Sequence, residues 1–252
     1  MSNIVFLGDS FCSHSANNDK NDLHPCQFYE ENIVCWPDVV AKKFKKDQHN
    51  HGYGGTSWWY SYKQLRLQII EDSDMWANTD HMVICLGNRS MPKIDNLELI
   101  NKHQAGKFSD SATAWADESF NVWAYEKYVE EIIEWSKTRK IVVFYNFRHE
   151  CWVVDKLKQH MPVCFTPLMI LSHAETGDET GSIEYVQGIH ANHLNSHNNQ
   201  ALARQIIHQF VFYKPGVFQI NKDLYDLKNS SLIDQWVKDY RQILEEVYNN
   251  KI

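Results

Sequence analysis

Ile4-Val5-Phe6-Leu7-Gly8-Asp9-Ser10-Phe11 is the stretch whose reading decides the fold. Four consecutive apolar residues run into a glycine and two polar residues. A strand buried on both faces and ending at the edge of a parallel sheet reads this way, whereas a strand with one wet face would alternate. The same pattern recurs at His81–Leu86, at Lys140–Phe147, at Pro162–Phe165 and, more briefly, at Gln48–His51. Helical stretches lie between them, at Trp36–Phe44, Ser57–Glu71, Ala114–Lys137, Cys151–His160 and Ser196–Tyr213. Strands alternating with helices predict an α/β fold, a three-layer α/β/α sandwich around a mostly parallel sheet of five strands.

Pro215 and Gly216 interrupt the pattern, so the sequence predicts a main domain over residues 1–213 and a helical appendage over 214–252. In the appendage Leu232, Trp236, Val237, Tyr240, Ile243, Leu244, Val247 and Tyr248 share one helical face, which must pack on something. Cys12–Cys35 and Ser172–Gly188 are polar and carry no periodicity; they are predicted to be long loops framing a site.

Composition narrows the function classes. The chain has 252 residues, enough for a continuous core, and a formal charge of −7 with no basic block. Phosphate binding needs a positive field, so nucleic acid is not an expected partner. No apolar run reaches the roughly 18 residues of a membrane span, and Ile4–Leu7 is too short for a signal peptide. The six cysteines form no CxxC pair, which suits free thiols in the cytoplasm rather than a zinc ribbon or a disulfide framework.

Four clusters can carry chemistry. Gly8-Asp9-Ser10-Phe11 sets a hydroxyl at a strand's carboxyl end, where open α/β sheets place their sites. Asn50-His51-Gly52-Tyr53-Gly54-Gly55-Thr56-Ser57 follows a short strand, and its glycines let backbone N–H groups approach an oxyanion. Gly87-Asn88-Arg89 offers a side-chain amide at another strand end, and His190-Ala191-Asn192-His193-Leu194-Asn195 sets an imidazole at the mouth of a helix. Each has a structural reading as well: a turn cap, a tight turn with a Thr/Ser N-cap, a salt-bridged arginine, a surface histidine.

In order and context the four clusters together resemble the SGNH hydrolases, or GDSL-type esterases, over about residues 4–210. The resemblance implies a flavodoxin-like sheet and a serine esterase without metal or organic cofactor. Ser10 would be the nucleophile and His193 the base, with the Ser10 and Gly55 N–H groups and the Asn88 amide as oxyanion donors. Implied substrates are small-molecule or carbohydrate O-acyl esters, acetyl esters among them. Trp58 and Trp59, next to the glycine turn, are the aromatic candidates for lining the site. Gly54-Gly55-Thr56-Ser57-Trp58 and His193-Leu194-Asn195 also resemble SGNH-like proteins of tailed bacteriophages, which implies a virion as an alternative location.

The pattern departs from the family in two places. Members usually carry an Asp three residues before the base, where this chain has His190; block three reads Gly87-Asn88-Arg89-Ser90 instead of Gly-x-Asn-Asp. Either a backbone carbonyl or another acid such as Glu184 orients His193, with Asp9 and Arg89 as accessory groups, or the chain is a weak or lapsed enzyme. Two rival readings follow. One is a non-catalytic binding or structural protein that self-associates or docks into a virion through its C-terminal helix. The other is a zinc hydrolase using His190, His193 and His197, although no His-Glu-x-x-His pattern accompanies them.

Overall fold

The computed structural model describes residues 2–9, 11–12, 35–52, 58–87, 118–146, 151–177 and 194–239. In chain order the elements are β1 (Asn3–Leu7), α1 (Trp36–Phe44), β2 (Asp47–Asn50), α2 (Trp58–Glu71), α3 (Ser73–Ala77), β3 (Thr79–Leu86), α4 (Glu118–Ser136), β4 (Lys140–Tyr145), α5 (Cys151–Leu157), β5 (Pro162–Cys164), α6 (Leu168–Thr176), α7 (Ser196–Val211) and β6 (Gly216–Phe218). A 3₁₀ turn at Lys222–Leu224 leads to α8, helical over residues 231–239.

The strands pair in parallel in the order β2-β1-β3-β4-β5-β6. Because side chains alternate along a strand, each strand feeds two cores. Ile4, Phe6, Val83, Cys85, Val142 and Phe144 face α1, α6 and α7. Val5, Leu7, Met82, Ile84, Ile141 and Val143 face α2, α4 and α5. Burial on both faces is the reason these strands read as unbroken apolar runs. Right-handed crossovers put α1 on one face and α2, α4 and α5 on the other, because the chain reverses direction across the sheet between β2 and β3. In open α/β sheets a reversal of this kind is where a ligand crevice is expected, here beyond the carboxyl ends of β1 and β3.

The sheet has six strands, not the expected five. β6 comes from the segment that the sequence reading assigns to a helical appendage; three residues after a proline carry too little pattern to register as a strand. It pairs with β5 through Pro162↔Gly216, Val163↔Val217 and Cys164↔Phe218. Ile220, Tyr225 and Ile233 then continue the core under α7. In α8 the inward residues are Leu232, Ile233, Trp236 and Val237, and the Trp236 indole N–H donates to the Phe165 carbonyl at 3.3 Å. The first turns of this helix therefore find their packing partner on the α/β body. Tyr240 to Tyr248 lie outside the described residues.

Two further differences arise from tertiary burial. Residues 172–176, expected in a loop, form the end of α6, with Ser172, His173 and Glu175 buried; a Gly177 at φ 75° closes the helix. α3, which has no periodic signal, is started by the Asp72 carboxylate accepting the Met75 N–H at 2.9 Å. No described helix is long and apolar enough to cross a membrane.

Candidate active site at the carboxyl edge of the sheet

The turn after β1 is fastened by Asp9. Asp9 Oδ1 accepts the Phe11 N–H at 3.0 Å and the Asp9 carbonyl accepts the Cys12 N–H at 3.0 Å, so Cys12 is brought back close to Asp9. A β-carbon at Gly8 would lie 2.8 Å from Cys12 Cβ and 2.9 Å from Cys85 Cβ, which leaves room only for glycine where the turn folds back on β3. Burial pushes the Asp9 carboxyl up to about 6, against the opposing pull of the Phe11 N–H and the Asn146 amide.

The loop after β2 is fastened to this turn. Asn50 Nδ2 donates to the Cys12 carbonyl at 2.7 Å while Asn50 Oδ1 accepts the Gly52 N–H at 2.8 Å. A β-carbon on Gly52 would sit 2.7 Å from the Cys12 carbonyl carbon and 2.9 Å from its oxygen. Two backbones thus touch directly, and the first leads back to Ser10 while the second leads on to Gly55.

A second set of bonds joins the β1 turn to the start of α7. The Trp36 indole N–H donates to the Phe11 carbonyl at 2.7 Å, and the Trp36 backbone N–H donates to Asn199 Oδ1 at 3.3 Å. Asn199 Nδ2 in turn donates to the Leu194 carbonyl at 2.7 Å. Phe11, Trp36 and Leu194 are all buried in the same apolar cluster. The residue following Ser10 and the residue following His193 are therefore linked through two side groups. Asn195 caps α7 by accepting the Asn198 N–H at 2.8 Å, the local cause of the helix start expected there.

Ser10, Gly55, Asn88, Arg89, Glu184, His190 and His193 themselves lie outside the described residues. Of the other named candidates, Asp9 is at the site. Trp58 is not available to line it: the ring is 2% exposed and stacks on Tyr128 with centroids 4.8 Å apart, because its position on α2 turns it into the core with Ser61 and Leu65. Trp59, half-buried, meets Trp58 edge-on at 5.6 Å. His197 sits in the first turn of α7, and among the described residues no group of three His, Cys, Asp or Glu side chains could hold a metal ion.

Three polar residues at this edge escaped the sequence reading. Asn146 follows β4 and is fully buried; its N–H donates to the Leu86 carbonyl at 2.9 Å, but among the described residues neither amide atom of its side chain completes a hydrogen bond of ordinary length. Thr166, the equivalent residue after β5, is also buried, with its hydroxyl in the same condition. A polar residue closing an apolar strand is the pattern that marks Asn88, and Asn146 carries it as well. The third is Glu175 on α6, whose carboxylate accepts the Asn195 N–H at 2.9 and 3.1 Å and the Asn198 amide at 2.6 Å. Burial pushes it up to about 7, against the Asn198 and Asn195 donors.

Both raised carboxyls make stability fall as pH rises. A group whose folded-state value lies above its unfolded one contributes fully below the unfolded value, and the contribution is lost as pH climbs through the folded value. For Asp9 the window runs from 3.8 to about 6 and for Glu175 from 4.5 to about 7. Each contributes on the order of 2–3 kcal/mol across its window. Urea unfolding of wild type and Asp9→Asn at pH 4, 5, 6 and 7 is expected to show a shallower decline in the variant; parallel curves would contradict the burial of this carboxyl.

The chain matches no protein-family model, and no curated protein matches it in sequence.

Proposed function

We propose that the chain is a serine esterase of SGNH type, a three-layer α/β/α enzyme that hydrolyses O-acyl esters, with acetyl groups on carbohydrate as the substrate class. Ser10 attacks the ester carbonyl and His193 takes its proton. The oxyanion is received by the Ser10 and Gly55 N–H groups and the Asn88 amide. As the tetrahedral intermediate collapses, His193 returns the proton to the leaving alcohol; a water activated by the same imidazole then cleaves the acyl-enzyme. Neither metal nor organic cofactor enters this scheme. The place of action in this reading is the cytoplasm, with the virion, through the resemblance to phage members, as the alternative.

The observation that carries the reading is the path Phe11–Trp36–Asn199–Leu194. It ties the immediate neighbours of the nucleophile and of the base to one buried cluster, although almost two hundred positions separate them. Beside it, the Asn50 clamp holds the start of the glycine loop against the same turn. Both lie at the crevice that the strand order predicts for a ligand.

Reaction with a fluorophosphonate probe, followed by peptide mapping, tests the reading without the natural substrate. Label on the peptide containing Ser10, absent from Ser10→Ala, is expected. Absence of label from the folded wild type would favour the non-catalytic reading, which the histidine at position 190 in place of the family's aspartate already motivates.

A further inference from the structure

We infer that Glu175 is the positioning residue for His193, taking over the work of the carboxylate missing at position 190 by gripping the chain two residues beyond the base; this rests on the Ser10–His193 reading above. Glu175 lies in the last turn of α6 and reaches across to the start of α7. Both of its oxygens receive the Asn195 N–H, and Oε2 also receives the Asn198 amide. An ionised carboxylate only accepts, so three contacts from two donors suit it. A protonated one would turn an O–H toward those donors.

The donors cannot swing away to compensate. Asn198 is pinned from its other side, where its Oδ1 accepts the Asp226 N–H at 2.7 Å and its Nδ2 also donates to the Asp226 carbonyl at 2.9 Å. Asn195 spends its own side chain on capping the helix. A further backbone bond, from the Asn229 N–H to the Ala174 carbonyl at 2.9 Å, holds the 226–229 segment against α6. Glu175 is thus the meeting point of α6, α7 and the C-terminal segment. Among the described residues the charged groups acting on it are Asp226, which favours its neutral form, and Lys228, which favours its ionised form; the amides of Asn195 and Asn198 favour ionisation, and burial outweighs them.

A grip that needs the ionised form, at a site where that form is reached only near neutrality, adds a second proton to the acid limb of the activity profile. The first is that of His193 itself. The limb of log kcat/KM against pH is therefore expected to approach a slope of two in the wild type and of one in Glu175→Gln. The kcat of that variant should fall about 10- to 100-fold with KM little changed, the size of loss that a misplaced catalytic group produces. Asn198→Ser, which removes one donor, should move the acid limb to higher pH, and it serves where Glu175→Gln folds poorly.

Three results would overturn the inference: an unchanged kcat in the folded Glu175→Gln protein, a reduced kcat with the wild-type slope, or an Asn198→Ser limb that does not move. The first two would leave Glu175 as a structural clamp. Ser10→Ala is assayed alongside. If it retains wild-type activity, the esterase reading itself has failed; if it is inactive while Glu175→Gln matches wild type, only the role of Glu175 has.

Discussion

Ser10→Ala is expected to lower the hydrolysis of p-nitrophenyl acetate by about 10³-fold or more, and His193→Ala by a similar factor. In a nucleophile–base pair each member is useless without the other, so the double variant should be hardly worse than either single one. The residual rate would come from oxyanion donors that are still in place. Additive losses would mean that the two side chains do not act as a unit, and equal rates in all four proteins would end the enzyme reading. The missing aspartate sharpens the comparison. In a well-studied triad, neutralising the orienting carboxylate costs about 10⁴ in rate, so a wild-type rate well above background requires some other group to orient the imidazole.

The second large effect is expected at Gly52. An alanine there drives its methyl to within 2.7 Å of the Cys12 carbonyl carbon, and the obstacle is backbone rather than the yielding end of a side chain. One of the two loops must retreat. Relief at the expense of the Asn50 bonds would unfasten the turn carrying Ser10 from the loop leading to Gly55. A loss of about 10²-fold in kcat/KM is expected, with about 1–3 kcal/mol of stability, the usual cost of forcing extra volume into a packed site. Esterase assays and urea unfolding of Gly52→Ala check both. An alanine variant with wild-type rate and stability would show that these loops do not need to touch.

Much of this fold is written in the chain in plain form. Strands β1 and β3 to β5 announce themselves because burial on both faces demands unbroken apolar runs, and α1 spans the expected Trp36–Phe44, with Pro37 in its first turn. Short elements are quieter: β6 is defined by its partner β5, not by its own three residues. Chemistry at the site divides along the same line. Glycines and polar residues closing a strand can be read locally, and they place the candidate site at the carboxyl edge of the sheet. Glu175 could not be found that way, since nothing in Leu168–Thr176 distinguishes a buried acid from a solvated one until Asn195 and Asn198 arrive from some twenty residues downstream. Trp58 misled for the opposite reason. Its neighbours in sequence belong to a loop of interest, but its helical spacing with Ser61 and Leu65 decides where the ring goes.

The strand order also dictates a timetable for folding. β1 occupies an interior place in the sheet, paired on one side with Asp47–Asn50 and on the other with Thr79–Leu86. During synthesis it leaves the ribosome before either partner and waits for both. Until Leu86 has emerged, Ile4 to Leu7 remain an open, strongly apolar strand, the kind of segment that chaperones bind and that seeds aggregation. The nascent chain is therefore most vulnerable between the emergence of Leu7 and that of Leu86, and slower translation through that stretch would prolong the exposure.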